Sequence, residues 1–464
     1  MSNFFLSTAY IYPVCPLSFN HARMFVITDV YSRYEKLKGN SVYFPIATHF
    51  SGNTAQHIAA HFSELFAMPD QLDKSDATYR LFTHFYKLPP DTILSFTDPL
   101  QILHYYNKET IQELTSLKIN ADYKHQYTTE DRDFSAFVEA IILKYQEKGL
   151  LVKNTKGDLS LQYENEVWRE SARILIDATE YVHPRQKNTV LSAVNNIRSD
   201  WSLLRDNGYG AMFNNQIVDP MFDSELFMIF DLYIRFRDRF PDESHHPKDF
   251  FHGLFERLSS GGEPANDLEA MIIEWLPCRH FIAEEHLRNW LAKKAHAESV
   301  LLAKMYQTPK YTILGMGLLD GHRMSASKGT AILSKDLIET HGGLNARLIM
   351  LLQGGHLSKD FTYDAQLTDR VGKMVRKFTR HAAKVKSVLT ETPGKKPEKI
   401  IELEDKIITN IESGYLRNAL ILLLDTCPKI FSNPSPTEAY FLTELYENYI
   451  ERVFAPGALS RHEA

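Results

Sequence analysis

The chain has 464 residues, of which 44% are hydrophobic and 24% charged, and a formal net charge of -6. That length exceeds one ordinary core, so about two to three domains are expected, and the mild acidity gives no overall nucleic-acid signature. No window approaches ~18 apolar residues, which argues against a membrane-spanning helix.

The start, "MSNFFLSTAYIYPVCPL", lacks a basic segment ahead of a long apolar core, so no secretory leader is expected. Cys15, Cys278 and Cys427 are far apart, which argues against a disulfide framework and a cysteine-rich zinc site. A reducing cytoplasm is the expected location. "FFLSTAYIY" (4–12) reads as a strand. After the loop "PVCPLSFNH", apolar Phe25, Val26, Val30, Tyr34 and Leu37 recur at helical spacing, and Gly39 suits the helix end. "SVYFPIATHF" (41–50) reads as the next strand. Strand, helix, strand with short connections is a βαβ unit and implies a parallel sheet. Ligands then belong at the carboxyl ends of the strands.

Residues 54 to 150 read as mostly helical, with "DFSAFVEAIILKYQEKGLL" (133–151) showing an Asp start, an apolar face and a Gly stop. Residues 151 to 275 are mixed, with a turn at 154–158 and a loop at 259–264. "KYTILGMGLLDGHRM" (310–324) returns to strand and hairpin character. From about residue 364 the pattern is helical, interrupted at 392–399 and 433–438. There is no internal repeat.

Two places attract anion chemistry. His21 lies at the start of the first helix, where free N–H groups and the macrodipole favour phosphate. Ser325, Ser327, Lys328 and Thr330 form a small polar loop able to cradle phosphate. Taken singly, each has an ordinary alternative: a solvent-facing cap histidine and a polar turn. Taken together, they are less ordinary: one follows the first strand and the other a late strand.

At these residues the chain resembles a class I aminoacyl-tRNA synthetase, closest to the leucyl branch in its archaeal and eukaryotic form. The family's first signature reads Tyr-Pro-Asn-Gly-x-Leu-His-x-Gly-His, and here the register runs from Tyr12 and Pro13 through Leu17, Ser18 and Asn20 to His21. Its second reads Lys-Met-Ser-Lys-Ser-Lys-Gly-Asn, and here runs Arg323, Met324, Ser325, Ala326, Ser327, Lys328, Gly329, Thr330. Segments 33–55, 200–210, 218–227 and 338–352 match other family segments in order. The resemblance implies a Rossmann-type parallel sheet, interrupted by a small insertion, with a C-terminal helical domain. It implies ATP, with Mg2+, and an amino acid as substrates, joined as an aminoacyl-adenylate that passes to tRNA or to a non-tRNA acceptor.

Under the resemblance, His21, Arg323 and Lys328 are the expected catalytic residues. Pro13, Ser18, Asn20, Glu284, Met324, Ser325 and Ser327 join them in the expected ATP site, and Tyr12, His49 and Phe227 in the amino-acid pocket. Four departures bear on activity. Ser18 replaces the first histidine, Asn20 the glycine against which adenine packs, Ala326 the second lysine and Arg323 the first. The ribose-binding Gly-x-Asp segment falls near "RHFIAEEH" (279–286), with Ile282 at the glycine and Glu284 at the acid. Lys328 is the expected substitute for the lost lysine, with His322 a further one. The alternative is a pseudo-synthetase that binds an amino acid, a nucleotide or a protein without chemistry.

The interval before residue 200 is too short for the family's editing domain, and no zinc module is expected. Expected boundaries are 1–165 and 276–363 for the two halves of the catalytic domain, 166–275 for a reduced insertion, and 364–464 for a truncated helical domain. That short tail weakens the expectation of tRNA as partner, although "RVGKMVRKFTRHAAKVK" (370–386) is basic and amphipathic.

Overall fold

The protein is described from a computed structural model covering residues 2–67, 73–389 and 394–459. The expected βαβ unit opens it. The strand Asn3–Thr8 leads to the helix Phe19–Leu37, and the chain returns in the parallel strand Ser41–Tyr43. Gly39, at φ +86°, closes the helix as a glycine in the left-handed region can. A second unit joins Cys278–Ala283, the helix Trp290–Leu301 and Lys310–Leu314. The two units meet where Asn3–Thr8 pairs in parallel with Cys278–Ala283, from Phe5↔Cys278 to Thr8↔Phe281. The sheet order is Ser41–Tyr43, Asn3–Thr8, Cys278–Ala283, Lys310–Leu314, Glu180–Tyr181.

From the central pair the chain winds outward in opposite directions. Phe281 joins the apolar cluster holding the Phe19–Leu37 helix, and its neighbour Ile282 joins the one holding Trp290–Leu301. Helices therefore cover both faces, and the crevice at the carboxyl ends of the central strands is left open. This is the expected interrupted Rossmann-type α/β fold with a helical C-terminal region. Among the described residues, no helix is long and apolar enough to cross a membrane.

Three local expectations change. The predicted strand 41–50 breaks after Tyr43, and Pro45–Thr48 pairs instead with Asp122–Thr128, a strand inside the region read as helical. Asp133 precedes the helix Phe134–Glu147 without capping it. Its Oδ2 accepts instead from Tyr233 and from Arg237, each at 2.9 Å. Glu180–Tyr181, from the stretch expected to be an insertion, returns to the edge of the main sheet. The break expected at 392–399 lies partly outside the described residues; the helices on either side are Ala365–Ser387 and Glu398–Glu412.

Arg347 joins the sheet's first helix to the C-terminal region. It is fully buried, with Nη2 2.6 Å from Asp29 Oδ2, and its Nε donates to Phe454 O at 2.7 Å. Asp29 also meets Arg33 at 2.7 Å and accepts the Asn120 N–H at 2.7 Å. Burial lowers the Arg347 pKa, and the Asp29 charge opposes that shift. Removing one partner of a buried pair leaves the other charge uncompensated. Arg347→Leu is therefore expected to cost about 3–5 kcal/mol of stability, read by chemical denaturation; a loss below about 1 kcal/mol would show that the pair is replaceable.

Candidate active site

The first signature forms the start of the Phe19–Leu37 helix. Ser18 is buried at the N-cap, and its Oγ accepts the His21 N–H at 3.4 Å. Capping satisfies one free N–H while leaving the positive helix end facing the crevice. The His21 ring is exposed, with Nε2 3.8 Å from Glu285 Oε1. The nearby His21 imidazole holds the Glu285 carboxyl below its ordinary pKa, and the His286 and Arg323 charges add to the effect. His21, Glu285 and Arg323 thus share one electrostatic cluster.

The acid that meets this cluster is Glu285, one position beyond the expected Glu284. Both lie in a single turn, Glu284–His286, directly after the strand. Asn20 does not lie free at the adenine side. Its Oδ1 accepts the Gly317 N–H at 2.8 Å and its Nδ2 donates to Gly317 O at 3.2 Å. Pro13 is buried in the connecting loop.

The second signature begins as a hairpin, Gly317–Leu319 with His322–Arg323. Its turn is Asp320–Gly321, both at positive φ, +50° and +78°, as such two-residue turns require. Met324 is buried, while Arg323, Ser327 and Lys328 are exposed. Ser325 Oγ and Ser327 Oγ lie 3.2 Å apart. Ala326 packs against the apolar clusters, and its carbonyl accepts from Tyr86 Oη at 3.1 Å. The lysine-free position thus faces inward, while Lys328 faces out.

Backbone bonds stitch the two signatures together. Phe19 N–H donates to Ile332 O at 2.8 Å, and Ser334 N–H donates to Leu17 O at 2.9 Å. Ser334 Oγ also donates to the buried carboxylate of Glu113, whose pKa burial raises to about 7.

Beside this cluster lies a cavity of about 420 Å³, and Tyr12, His49 and Phe227 all line it. Tyr10 packs between His49 and Phe227, with ring centroids 5.2 Å and 4.3 Å away. His49 Nε2 lies 2.7 Å from Asp223 Oδ1, and Ser51 Oγ donates to Oδ2 at 3.2 Å. Burial raises the Asp223 pKa, against these contacts. Gly52, at φ +86°, exchanges backbone bonds with Tyr209 at 2.8 Å and 2.9 Å. Two segments of the sequence resemblance, 33–55 and 200–210, therefore form one wall. From the far side, Trp290 lines the cavity and donates to Ser224 O at 3.1 Å. Consecutive residues divide the site: Glu285 faces His21, and His286 lines the cavity.

No family model matches the chain. It is 33% identical over 153 residues to leucine–tRNA ligase 2 of Sulfolobus acidocaldarius, covering 33% of this chain and 15% of that protein. It is 33% identical over 152 residues to leucine–tRNA ligase of Archaeoglobus fulgidus, with the same coverage of 33% and 15%. The matched stretch is thus about a seventh of those relatives' length. A solved Mycobacterium tuberculosis methionyl-tRNA synthetase, bound by methionyl-adenylate, superposes with TM-score 0.65 over 98% of this chain and 93% of that one, at 14% identity. The fold is that of a class I aminoacyl-tRNA synthetase. The sequence relatives are leucyl enzymes.

The candidate site also contains residues not singled out in the sequence: Glu285, Asp223, Ser51, Tyr10 and Trp290. Behind Tyr10, its hydroxyl lies 2.5 Å from Tyr127 Oη, which donates to Asp231 Oδ1 at 2.8 Å. Burial pushes the Asp231 carboxyl up to about 8, although the Tyr127 bond opposes the shift. A carboxyl raised above its unfolded value of about 3.9 favours folding in its protonated form. Its contribution is complete below that value and is lost as pH rises toward 8. The slope approaches about 1.4 kcal/mol per pH unit. Glu113 acts in the same direction. Asp231→Asn, which keeps an acceptor for Tyr127, is expected to flatten the stability loss between about pH 5 and pH 8 in denaturant melts; an unchanged slope would contradict the buried acid's role.

Proposed function

We propose that the chain activates an amino acid with MgATP, forming an aminoacyl-adenylate and pyrophosphate. The observation that carries this reading is the meeting of an aromatic-walled cavity with the His21–Glu285–Arg323 cluster at the topological switch point. The amino-acid side chain would occupy the cavity among Tyr12, Phe227 and Trp290, in contact with apolar ring surface. Its carboxylate would then attack the α-phosphorus in line, breaking the bond to the pyrophosphate oxygen. His21 and Arg323 would stabilise charge on the phosphates as it develops, and Lys328 would approach from the loop. Glu285 positions the His21 ring. No covalent enzyme intermediate is required. Leucine is the first substrate to try, given the leucyl relatives.

The acceptor is tRNA or a smaller non-tRNA molecule. The Ala365–Ser387 helix presents Lys373, Arg376 and Arg380 on one exposed stripe, which suits RNA phosphates. A second reading, binding without chemistry, is favoured by the inward packing of Ala326.

ATP–pyrophosphate exchange, scanned over the amino acids, separates the two readings. Exchange with one or a few amino acids is expected, and Arg323→Ala should lower kcat/KM by about 10²–10³. Silence with every amino acid, from folded protein that still binds a nonhydrolysable leucyl-adenylate analogue, would leave the binding reading. Ala326→Lys forces a long polar chain into packed apolar surroundings, at about 1–3 kcal/mol. It is therefore expected to lower the Tm without raising exchange; a rise of about tenfold would show instead that this position reaches the phosphates.

A further inference from the structure

A second cavity, of about 560 Å³, lies at the start of the same Trp290–Leu301 helix. Trp290 lines the amino-acid cavity, whereas Arg288, Asn289 and Lys293 line this one. Asn188 and Ser192 of the Pro184–Asn196 helix, with Trp201, complete its wall.

Lys293 is the telling residue. It is only 3% exposed, yet among the described residues it makes no hydrogen bond or ion pair. Its Nζ lies 3.7 Å from the centroid of the Trp201 ring. Asp219 and Glu225 are the acids whose charge reaches it. Both are engaged elsewhere. Asp219 is paired with Arg205 and accepts the Met221 N–H at 2.9 Å. Glu225 accepts from Tyr163 at 3.3 Å and from Tyr145 at 3.5 Å. Burial lowers the Lys293 pKa, although the Asp219 and Glu225 charges oppose the shift. An anion in the cavity would give the ammonium the direct partner that neither acid supplies.

Two further residues line the same cavity. Asn289, at the N-cap of the helix, makes no side-chain cap bond, so the first helical N–H groups are left without one. Arg288 is exposed at the mouth and brings a planar fork of donors. Two cations and a helix N-terminus match a doubly charged oxyanion better than a single carboxylate. Trp201, 42% exposed, adds a flat apolar wall beside it.

We propose that this cavity binds a phosphate-bearing ligand, with the phosphoryl group held by Lys293, Arg288 and the N-terminus of the Trp290–Leu301 helix. The site is separate from amino-acid activation and stands whether or not the chain forms an adenylate.

The test is calorimetric titration of the full chain with inorganic phosphate, then with cytidine 5′-monophosphate. One phosphate site is expected. Arg288→Ala and Lys293→Met should each weaken it by about tenfold or more, while Arg323→Ala should leave it intact. Arg288 is a surface residue, so its variant reports on binding even if Lys293→Met folds poorly. Tighter binding of the nucleotide, with that gain lost in Trp201→Ala, identifies a nucleotide phosphate; equal binding identifies free phosphate. A silent titration up to about 10 mM, equal affinity in Arg288→Ala, or loss of the site in Arg323→Ala would overturn the proposal.

Discussion

The site depends on one pairing: Asn3–Thr8 lies parallel and in register beside Cys278–Ala283. All the strand bonds of that pair connect segments far apart in the sequence. Because they end together, the loops that follow them share one crevice. His21 follows the first strand, Glu285 the second, and the two meet at 3.8 Å. Slip the pair by one residue and Phe281 and Ile282 exchange faces, which would turn each into the wrong core. Packing therefore sets the register, and the register sets the chemistry.

The second constraint is the stitch between signatures. Asn20 binds both backbone groups of Gly317, and the Leu17–Phe19 backbone pairs with Ile332 and Ser334. A Cβ on Gly317 would lie 2.8 Å from Asn20 Oδ1, so a larger residue there would push the Asn20 amide out of this bond. Asparagine in place of the family's glycine thus has a structural account: it ties the late hairpin to the first helix. Ala326 has a parallel one. Its carbonyl is held by Tyr86 and its methyl packs inward, so the loop rests on the Leu81–Phe85 turn and Tyr86. Compared with a loop free to swing over phosphates, this one is anchored at both ends. Lys328 remains exposed beyond the anchor.

Much of this was legible in the sequence, and the reasons are physical. The first βαβ unit shows as a strand followed by helical spacing, and the Asp-Gly turn marks the hairpin. Motif order groups Tyr12, His49 and Phe227, and the fold brings all three to the wall of one cavity. What could not be read depends on tertiary contact. "DYKHQYT" carries too many polar residues to stand out as a strand until Pro45–Thr48 pairs with it. Two adjacent glutamates look alike in sequence, and only the turn after Ala283 selects Glu285. The Tyr10–Tyr127–Asp231 chain joins residues over a hundred positions apart and has no local signature.

The central claim is that the aromatic-walled cavity and the His21–Glu285–Arg323 cluster form one continuous adenylate site. A structure of the chain with a nonhydrolysable leucyl-adenylate analogue tests it most directly. The aminoacyl side chain is expected against Tyr10 and Phe227, with the phosphate isostere between His21 and Arg323. An analogue that fails to bind, or that binds with its phosphate isostere away from both residues, would contradict it.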